Sequence, residues 1–595
     1  MAVSIEPYLE IRVAQPTSFS PDGSRVLVAS NLTGTMQLYR VPTAGGPPEM
    51  VTAEDEPVSG VYLPTADRVL VAMDRGGNER HQLYLCDDTG GPLTGVVVEP
   101  EWIHAPGGIS RDGNLLSYRC NRRNGVDFDV YVRRLDDGHE ECVFAPGGWA
   151  QPTAFSPDGR WLGAVRMTER NMDNDLYLVE TGGAEVIYVS PHDDDAEFSG
   201  PAWLADSSGF YFATNQGRDT TAIARYDLTS RSWEYVLDTH WDAACTIDQS
   251  GTRLLVTTNE DGYTRGQLYH PATLAPMGSL PLPGTGVATS FTFSRDGRWL
   301  AYHFTSATEP GDVWVVDTHD LNGARRLTTS PNAVPTALMV EPRLERFESF
   351  DGESVPVFLY LPPAPRRTPP PVVVVIHGGP EGQSLPGFNP IVQYLVARGY
   401  AVAVPNVRGS VGYGKRYHHL DDVRNRLDSV RDLAALHEWL AIRGDVDGSR
   451  AALYGGSYGG YMVLAGLVFQ PERWAAGVDI VGISSLITFL ENTSPWRRAF
   501  REREYGSLER DREFLEEASP ITHVDQLRAP LLIIHGANDP RVPLSEAEQL
   551  HRALQDKGVR SELLVYQDEG HGLQKLANRL DAYPRVASFL DEILA

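Results

Sequence analysis

The sequence predicts a seven-bladed β-propeller followed by an α/β domain with a doubly wound, mostly parallel sheet. At 595 residues the chain is too long for a single hydrophobic core, so two large domains are expected. A short pattern recurs through residues 15–320 with a period of about 45 residues, the length of a propeller blade. From Leu344 onward this pattern stops, and apolar strands alternate with helices.

Each copy of the repeat holds two apolar runs joined by a turn of the Asp-Gly type, and a third strand follows after a polar loop. Such a turn between alternating runs is a strong hairpin signal, and four strands in about 40–50 residues are typical of a propeller blade. The propeller is therefore expected over residues 15–327, after a short helix within residues 1–14 and before a linker over residues 328–342. The seven turns lie near residues 22, 67, 112, 158, 207, 250 and 296.

The second domain is expected over residues 343–595. Its strands, such as those within 372–379 and 400–409, are almost continuously apolar and alternate with helices. That pattern indicates a parallel sheet covered on both faces. Because ligands bind at the carboxyl ends of the strands in such sheets, the loops that follow the strands are where chemistry is expected.

One of these loops carries the strongest motif of the chain, Gly455-Gly456-Ser457-Tyr458-Gly459. An apolar strand precedes it and a helix-compatible run follows it, which is the context that a nucleophile elbow requires. Glycine is needed at 455 and 459 because side chains there would collide with the neighbouring strand and helix. The alternative is a glycine-rich turn of some other α/β protein. Ser457 is the predicted nucleophile.

Later strand ends supply the partners of Ser457. Asp539 lies in HGANDPRVP and His571 in DEGHG, and the order Ser, Asp, His is that of α/β-hydrolases. His571 is expected to accept the proton of the serine, and Asp539 is expected to orient His571. The backbone N–H groups of Gly379, in HGGP after another strand, and of Tyr458 are the expected oxyanion hole. The alternative for the aspartate and the histidine is that both are ordinary loop residues.

Charge and composition exclude several classes of partner. Residues 1–350 carry 22 of the 27 net negative charges, which argues against nucleic acid and anionic membranes. No apolar run is long enough for a membrane helix, and the N-terminus lacks the pattern of a signal peptide. The four cysteines are far apart, so reduced thiols in a cytoplasmic protein are expected. No metal and no organic cofactor is expected, since the sequence has no H-E-x-x-H motif and no P-loop.

The motifs resemble those of the prolyl oligopeptidase family of serine peptidases. The resemblance covers almost the whole chain, because the propeller also stands where that family has one. It implies a peptidase of short peptides, in which the propeller keeps folded proteins away from an active site between the domains. The matching segments are GGSYGGYM (455–462), HGGP (377–380), NVRGSVGYG (406–414), HGANDPRVP (535–543) and EGHG (569–572).

Within this family the short propeller and the HGGP and GGSYGGYM segments look most like the acylaminoacyl-peptidase branch. That likeness implies release of N-acylated or N-terminal amino acids, and a short N-terminal helix, here Ile5–Val13, packed on the hydrolase domain. It also implies that Arg541 lines the substrate site and that an acidic residue of the propeller faces it. Glu79 is the candidate, and an ordinary solvated loop glutamate is the alternative.

The resemblance further implies that the pocket for the substrate side chain follows the strand within 474–482. Leu486, Phe489 and Trp496 are the candidates, because an apolar, aromatic lining suits a hydrophobic substrate side chain. Ordinary core packing is the alternative for each of the three.

The expected partner is thus a short peptide or an acyl-peptide, and the oligomeric state, including a homo-oligomer, stays open. A rival function is an aminopeptidase or dipeptidyl peptidase that needs a free N-terminus. The paired glutamates of the dipeptidyl branch are not found in their aromatic context, although another propeller acid could bind an ammonium. A second rival is an esterase or amidase of a small peptide-like metabolite, and a third is a non-catalytic propeller with a vestigial hydrolase domain.

Overall fold

Seven four-stranded antiparallel sheets follow one another along the first half of the chain in this computed structural model, which describes residues 3–594. Within each sheet the strands pair in chain order, so each blade is one continuous segment. The seven-bladed propeller predicted from the repeat is confirmed. Blades one to four are β1 (Ala14–Phe19), β2 (Arg25–Ser30), β3 (Gln37–Pro42), β4 (Glu49–Met50); β5 (Val58–Leu63), β6 (Ala66–Met73), β7 (Gln82–Asp87), β8 (Thr94–Val97); β9 (His104–Ile109), β10 (Leu115–Cys120), β11 (Asp129–Arg134), β12 (Glu140–Phe144); and β13 (Ala150–Phe155), β14 (Trp161–Met167), β15 (Asn174–Glu180), β16 (Val186–Tyr188).

Blades five to seven complete the ring, and the first and last blades meet without sharing a sheet. Apolar side chains of blade one, among them Val26 and Val28, pack against Ala301 and Val313 of blade seven. The ring is therefore closed by hydrophobic contact. The strands are β17 (Ala202–Trp203), β18 (Gly209–Thr214), β19 (Ala222–Asp227), β20 (Ser232–Leu237); β21 (Ala243–Ile247), β22 (Leu254–Glu260), β23 (Tyr263–Tyr269), β24 (Pro276–Ser279); and β25 (Val287–Phe293), β26 (Trp299–Ser306), β27 (Glu309–Asp317), β28 (Asp320–Arg326).

The second half contains one eight-stranded sheet with the order β29-β30-β32-β31-β33-β34-β35-β36. From β32 to β36 neighbouring strands are parallel, and β29 and β30 form an antiparallel edge. The chain leaves β31 toward one edge and returns at β33 to build the other, so a crevice is expected at the carboxyl ends of β31 and β33. The strands are β29 (Arg343–Glu348), β30 (Ser354–Tyr360), β31 (Pro371–Ile376), β32 (Ala401–Pro405), β33 (Asp447–Gly456), β34 (Ala476–Ile480), β35 (Leu531–Gly536) and β36 (Ser561–Tyr566).

Helices cover both faces of this sheet, and β33 shows why. Alternate residues of β33 point to opposite apolar cores: Leu453 to one, and Ala452 and Tyr454 to the other. The helices are α1 (Glu6–Leu9), α2 (Pro390–Ala397), α3 (Lys415–His418), α4 (Arg426–Ala441), α5 (Tyr458–Phe469), α6 (Leu486–Asn492), α7 (Pro495–Tyr505), α8 (Arg512–Glu517), α9 (Leu544–Asp556) and α10 (Leu576–Leu594), with 3₁₀ turns at Thr336–Leu338, His419–Asp421, Val423–Asn425 and Pro520–Gln526.

The N-terminal segment packs on the hydrolase domain, but its helix is shorter than the nine residues that the likeness implied. Helix α1 spans four residues, and the chain then runs on to β1. Tyr8 packs edge-on against Tyr394 of α2 with 5.6 Å between ring centroids, and Leu9 is fully buried in the same core. None of the helices in residues 3–594 is long and apolar enough to cross a membrane.

Candidate active site

Ser457 stands in the turn between β33 and α5 with a strained backbone, φ 59° and ψ −119°. The flanking glycines allow this turn. A Cβ atom on Gly455 would lie 2.3 Å from the carbonyl oxygen of Gly459, and one on Gly459 would lie 2.3 Å from the carbonyl oxygen of Ile376. No side chain fits at either position, so the strand, the turn and the neighbouring strand are in direct backbone contact at the elbow.

Asp539 and His571 meet at the ends of β35 and β36. His571 Nδ1 lies 2.7 Å from Asp539 Oδ2, and the other carboxylate oxygen accepts the backbone N–H groups of Arg541 and Val542 at 2.8 and 3.0 Å. With Nδ1 engaged, Nε2 is the ring nitrogen left to accept a proton. Within the described part of the chain no hydrogen bond links the Ser457 hydroxyl to His571, and such bonds often tighten only when substrate is bound.

The HGGP segment after β31 lies against the elbow. A Cβ atom on Gly378 would stand 3.3 Å from the Cβ atom of Ser457. The next residue, Gly379, has φ 141°, and its carbonyl accepts a hydrogen bond of 3.2 Å from Arg501. Tyr458 is the first residue of α5, where a backbone N–H has no acceptor within the helix. The two N–H groups assigned to the oxyanion hole therefore belong to segments that flank Ser457.

A buried polar network supports the start of α5. The Tyr458 hydroxyl lies 2.8 Å from Ser429 Oγ and 3.2 Å from a guanidinium nitrogen of Arg426. Arg426 is fully buried and pairs with both Asp421 and Glu504. Burial raises the pKa of Glu504 to about 7 and that of Asp421 well above its usual range. This network holds the first turn of α5 in place, and no motif in the sequence announced it.

The propeller reaches this site through the loop of residues 74–82. Glu79 has a positive φ of 60°, which is strained for a non-glycine residue, and its N–H donates to Asp74 at 2.7 Å. In this conformation its carboxylate accepts a hydrogen bond of 2.5 Å from Arg541 Nε, and Arg497 lies 4.0 Å away. The structure thus joins the propeller acid and the arginine that the family likeness had matched.

The same loop touches both loops that carry the acid and the base. A Cβ atom on Gly77 would lie 2.7 Å from the backbone nitrogen of Gly570, which precedes His571. Asn538, which precedes Asp539, donates to the carbonyl of Gly76 at 3.1 Å. The propeller therefore covers this side of the site.

The structure separates the three residues proposed for the substrate pocket. Leu486 and Phe489 lie on α6 and are buried in the hydrolase core, so they leave almost no surface for a substrate side chain. Trp496, on α7, packs edge-on against Phe128 and Trp149 of the propeller, with 5.6 Å between each pair of ring centroids. Only Trp496 lies at the boundary between the domains.

Phe500 was missed. It follows Trp496 by one helical turn, packs against Trp149 with 5.5 Å between centroids, and lines a cavity between the domains. The signal in the sequence was the spacing of two aromatic residues by four positions in PWRRAF, which puts both on one face of a helix.

This cavity has a volume of about 500 Å³ and lies between propeller and hydrolase domain. Glu381, which directly follows the HGGP segment, is part of its wall. Glu381 pairs with Arg501 at 3.0 Å, and this pairing lowers its pKa against the effect of burial. The propeller wall includes Asn171, Glu197, Asn215, Thr221 and Asp242, and the hydrolase wall includes Glu381, Gly412, Lys415, His418 and Phe500.

Two acidic residues of the propeller in this wall have raised pKa values. Burial, and then the neighbouring Asp242, raise the pKa of Glu197 to about 7. Burial also raises the pKa of Asp242, although Thr221 N–H donates to it at 2.9 Å. Among residues 3–594 the Glu197 carboxylate receives no hydrogen bond. Within residues 3–594 the neighbouring His419 acts against this rise, but it forms no hydrogen bond to the Glu197 carboxylate.

Two family models match the chain. One, described as the prolyl oligopeptidase family, matches residues 386–595, and the other, its N-terminal β-propeller domain, matches residues 62–329. The chain belongs to the prolyl oligopeptidase family. This chain is a serine peptidase of that family.

Relatives of two specificities match to different extents. Dipeptidyl aminopeptidase BIII of Pseudoxanthomonas mexicana is 28% identical over 593 residues, covering 94% of this chain and 84% of that protein. Acylamino-acid-releasing enzyme 1 of Oryza sativa subsp. japonica is 28% identical over 222 residues, covering 35% of this chain and 28% of that protein. A solved structure described in a structural and mechanistic analysis of two prolyl endopeptidases superposes on this chain with a TM-score of 0.88 at 21% identity. The superposition covers 99% of this chain and 90% of that one, which shows that the two share a fold.

Proposed function

We propose that the chain removes short N-terminal units, foremost dipeptides, from peptides that have a free α-amino group. The acidic wall of the interdomain cavity carries this proposal. Glu197 and Asp242 face the cavity between the domains, whose wall includes Glu381 directly after the HGGP segment, and the Glu197 carboxylate has no hydrogen-bonded partner within the described chain. A substrate ammonium bound there would supply a hydrogen-bond donor and a positive charge.

The reaction follows from the geometry of the elbow. Ser457 attacks the carbonyl carbon of the scissile bond while His571 takes its proton at Nε2, and Asp539 stabilises the imidazolium. The oxyanion forms against the N–H groups of Gly379 and Tyr458. His571 then returns the proton to the leaving amine, and water activated by the same histidine hydrolyses the acyl-enzyme.

The full-length likeness to a dipeptidyl aminopeptidase supports the same proposal, since it includes the propeller that carries Glu197. Glu79 is a weaker candidate for an ammonium anchor, because Arg541 already pairs with its carboxylate at 2.5 Å. Glu197, on the propeller wall of the cavity, is thus the acid available to bind the substrate ammonium. In this proposal a short peptide segment extends from Ser457 to Glu197.

The test compares substrates that differ only at the amino end. A dipeptidyl p-nitroanilide, its N-acetyl derivative and an acetyl-aminoacyl p-nitroanilide are assayed with the native chain and with Glu197→Gln. The native chain is expected to prefer the free dipeptide, and Glu197→Gln is expected to lose roughly 30-fold in kcat/KM for it, equivalent to about 2 kcal/mol. Both acetylated substrates should change little. Faster turnover of the acetylated substrates by the native chain would overturn the proposal.

Release of N-acylated amino acids is the second candidate, and the ion pair between Glu79 and Arg541 favours it. That pair matches the acidic motif through which the sequence resembles the acylaminoacyl branch. An acylated residue needs no ammonium anchor, so this function predicts that acetyl-aminoacyl p-nitroanilide is the best of the three substrates. It also predicts no sensitivity to Glu197→Gln.

A further inference from the structure

Three side chains at the edge of blade three form a cluster that takes no part in the peptidase site. Glu99 lies in the loop before β9, His104 begins β9, and Cys120 ends β10. His104 and Cys120 stand opposite each other in the pairing of the two strands. A carboxylate oxygen, an imidazole nitrogen and the thiol sulfur lie within 4.8 Å of one another.

The imidazole of His104 is oriented for ligation. Its Nδ1 lies 3.3 Å from the carbonyl oxygen of His81, so Nδ1 carries the hydrogen and Nε2 presents a lone pair. Nε2 points toward Glu99 Oε2 at 3.6 Å. Both atoms are buried without a hydrogen-bond partner, and His104 has no exposed surface.

A second cluster of similar composition shows the contrast. His418, Asp422 and Glu504 also gather donor atoms within 4.8 Å, at the domain interface. There the amide of Asn171 occupies the centre and lies 2.9 Å from Asp422 and 3.3 Å from His418, while also contacting Glu504. Those acceptors are satisfied by protein, whereas Nε2 of His104 and Oε2 of Glu99 are not.

We propose that Glu99, His104 and Cys120 bind a divalent transition metal, with Zn²⁺ as the preferred ion. Cysteine, histidine and carboxylate are the ligands that zinc takes in proteins, and three of them leave a fourth position for water. Binding forms a bond between the metal and the Cys120 sulfur, and the thiol proton passes to solvent. The oxidation state of the zinc does not change.

Arg122 completes the surroundings of the site. It donates to Glu99 Oε1 at 3.2 Å and pairs with Glu140 at 2.8 Å. The guanidinium therefore holds one oxygen of Glu99 and leaves Oε2 turned toward the other two ligands, while Glu140 offsets its charge. The side chain of Glu99 is 39% exposed, although its Oε2 atom is buried.

The position of the site gives it a structural consequence. The carbonyl that orients His104 belongs to His81, in the loop of residues 74–82 that also carries Glu79 and contacts Gly570. A metal on His104 would fix the imidazole and, through the carbonyl, the end of this loop. The peptidase chemistry does not require the metal, so the site is testable apart from activity.

The experiment uses the full chain, reduced, treated with a chelator and then titrated with Co²⁺. One equivalent is expected to bind with a thiolate-to-cobalt charge-transfer band and tetrahedral d–d bands, and Zn²⁺ is expected to displace it. Cys120→Ser should lose the charge-transfer band, and Glu99→Gln, which changes a partly exposed side chain of equal size, should weaken binding more than about tenfold. Cys142→Ser, at the exposed cysteine of the same blade, is the control and should keep the full spectrum.

Two results would overturn the proposal. One is the absence of a charge-transfer band at millimolar Co²⁺ in the folded native chain. The other is a band that persists in Cys120→Ser or disappears in Cys142→Ser, because the sulfur ligand would then be another cysteine. Should Cys120→Ser fail to fold by circular dichroism, the Glu99→Gln titration decides: unchanged affinity contradicts the site, and weakened affinity supports it.

Discussion

The site has two walls, the hydrolase domain and the propeller, and they are built in different ways. The hydrolase wall gains its chemistry from backbone geometry within short segments: the elbow around Ser457 and the HGGP loop are held by close backbone contacts. The propeller wall gains its character from single side chains that different blades contribute, with Glu197 entering blade five and Asp242 entering blade six. The catalytic groups of the hydrolase wall thus lie in contiguous sequence motifs, whereas the residues proposed to bind the substrate amino group come from separate blades.

The largest effect should come from the hydrolase wall. Ser457→Ala removes the nucleophile, so kcat/KM is expected to fall by about 10⁴-fold or more for free and blocked substrates alike. Covalent labelling by a fluorophosphonate should disappear. Ser449→Ala, at an exposed serine in the same strand, is the matched control and should label like the native chain. Labelling that survives in Ser457→Ala would assign the nucleophile elsewhere.

A smaller loss of activity is expected when the backbone of the elbow around Ser457 is displaced. In Gly459→Ala the new Cβ atom would meet the carbonyl oxygen of Ile376 at 2.3 Å, so the elbow must shift. Misplacement of reacting groups by about 1 Å costs on the order of 100-fold in rate, and kcat should fall by that amount for every substrate. Gly444→Ala, where a Cβ atom meets nothing within 4 Å, should keep kcat and serves as the control. Equal kcat in both variants would show that the elbow tolerates a side chain.

The contrast between the walls also explains what could be read from the sequence. The seven blades were predictable because each Asp-Gly turn, such as that at Asp158-Gly159, marks a hairpin locally and repeats at a regular spacing. Ser457, Asp539 and His571 were predictable as candidates because glycine-rich strand ends restrict where such residues can stand. These signals lie within a few residues of each other.

Features that depend on tertiary packing were not predictable in this way. Residues 486–517 form three helices, and only their packing decides that Leu486 faces the core while Trp496 faces the propeller. Glu197 is one of many acidic residues in the first half, and nothing near it in sequence distinguishes it. Its position follows from the docking of two domains. The pair of Glu79 and Arg541 came from family likeness, because 462 residues separate them.

The link between the two walls should have a more modest effect. Arg541→Lys and Glu79→Gln each weaken the charge-assisted hydrogen bond between propeller and hydrolase domain, and each should lower kcat/KM by about tenfold. Because the two groups act as one pair, the double variant should lose little more than either single one, with a coupling energy of about 1.4 kcal/mol. Additive losses, measured in the same double-mutant cycle, would show that each side chain contacts substrate independently. Arg80→Gln, in the same loop but outside the pair, provides the control.

A change in pH should isolate the contribution of the propeller wall, with an effect of similar size. The pKa of Glu197 is raised to about 7, so its carboxyl is neutral well below that pH and ionised above it. A peptide α-amino group keeps its proton up to about pH 8. The ratio of kcat/KM for the free dipeptide to that for its acetylated form should therefore rise, by about tenfold, between pH 5.5 and 7.5, and fall again above pH 8.

Taking the ratio removes His571 from the comparison, because both substrates need the same general base. What remains is the ionisation of the amine and of the group that binds it. In Glu197→Gln the rising limb should flatten and the fall above pH 8 should shrink, since both limbs depend on the pair of Glu197 and the substrate ammonium. A rising limb unchanged in Glu197→Gln would move the anchor to Asp242, whose pKa burial also raises, and Asp242→Asn would then have to flatten it. If neither variant alters the rise of this ratio with pH, the propeller wall does not bind the substrate amino group. The propeller would then contribute only the shape of the site.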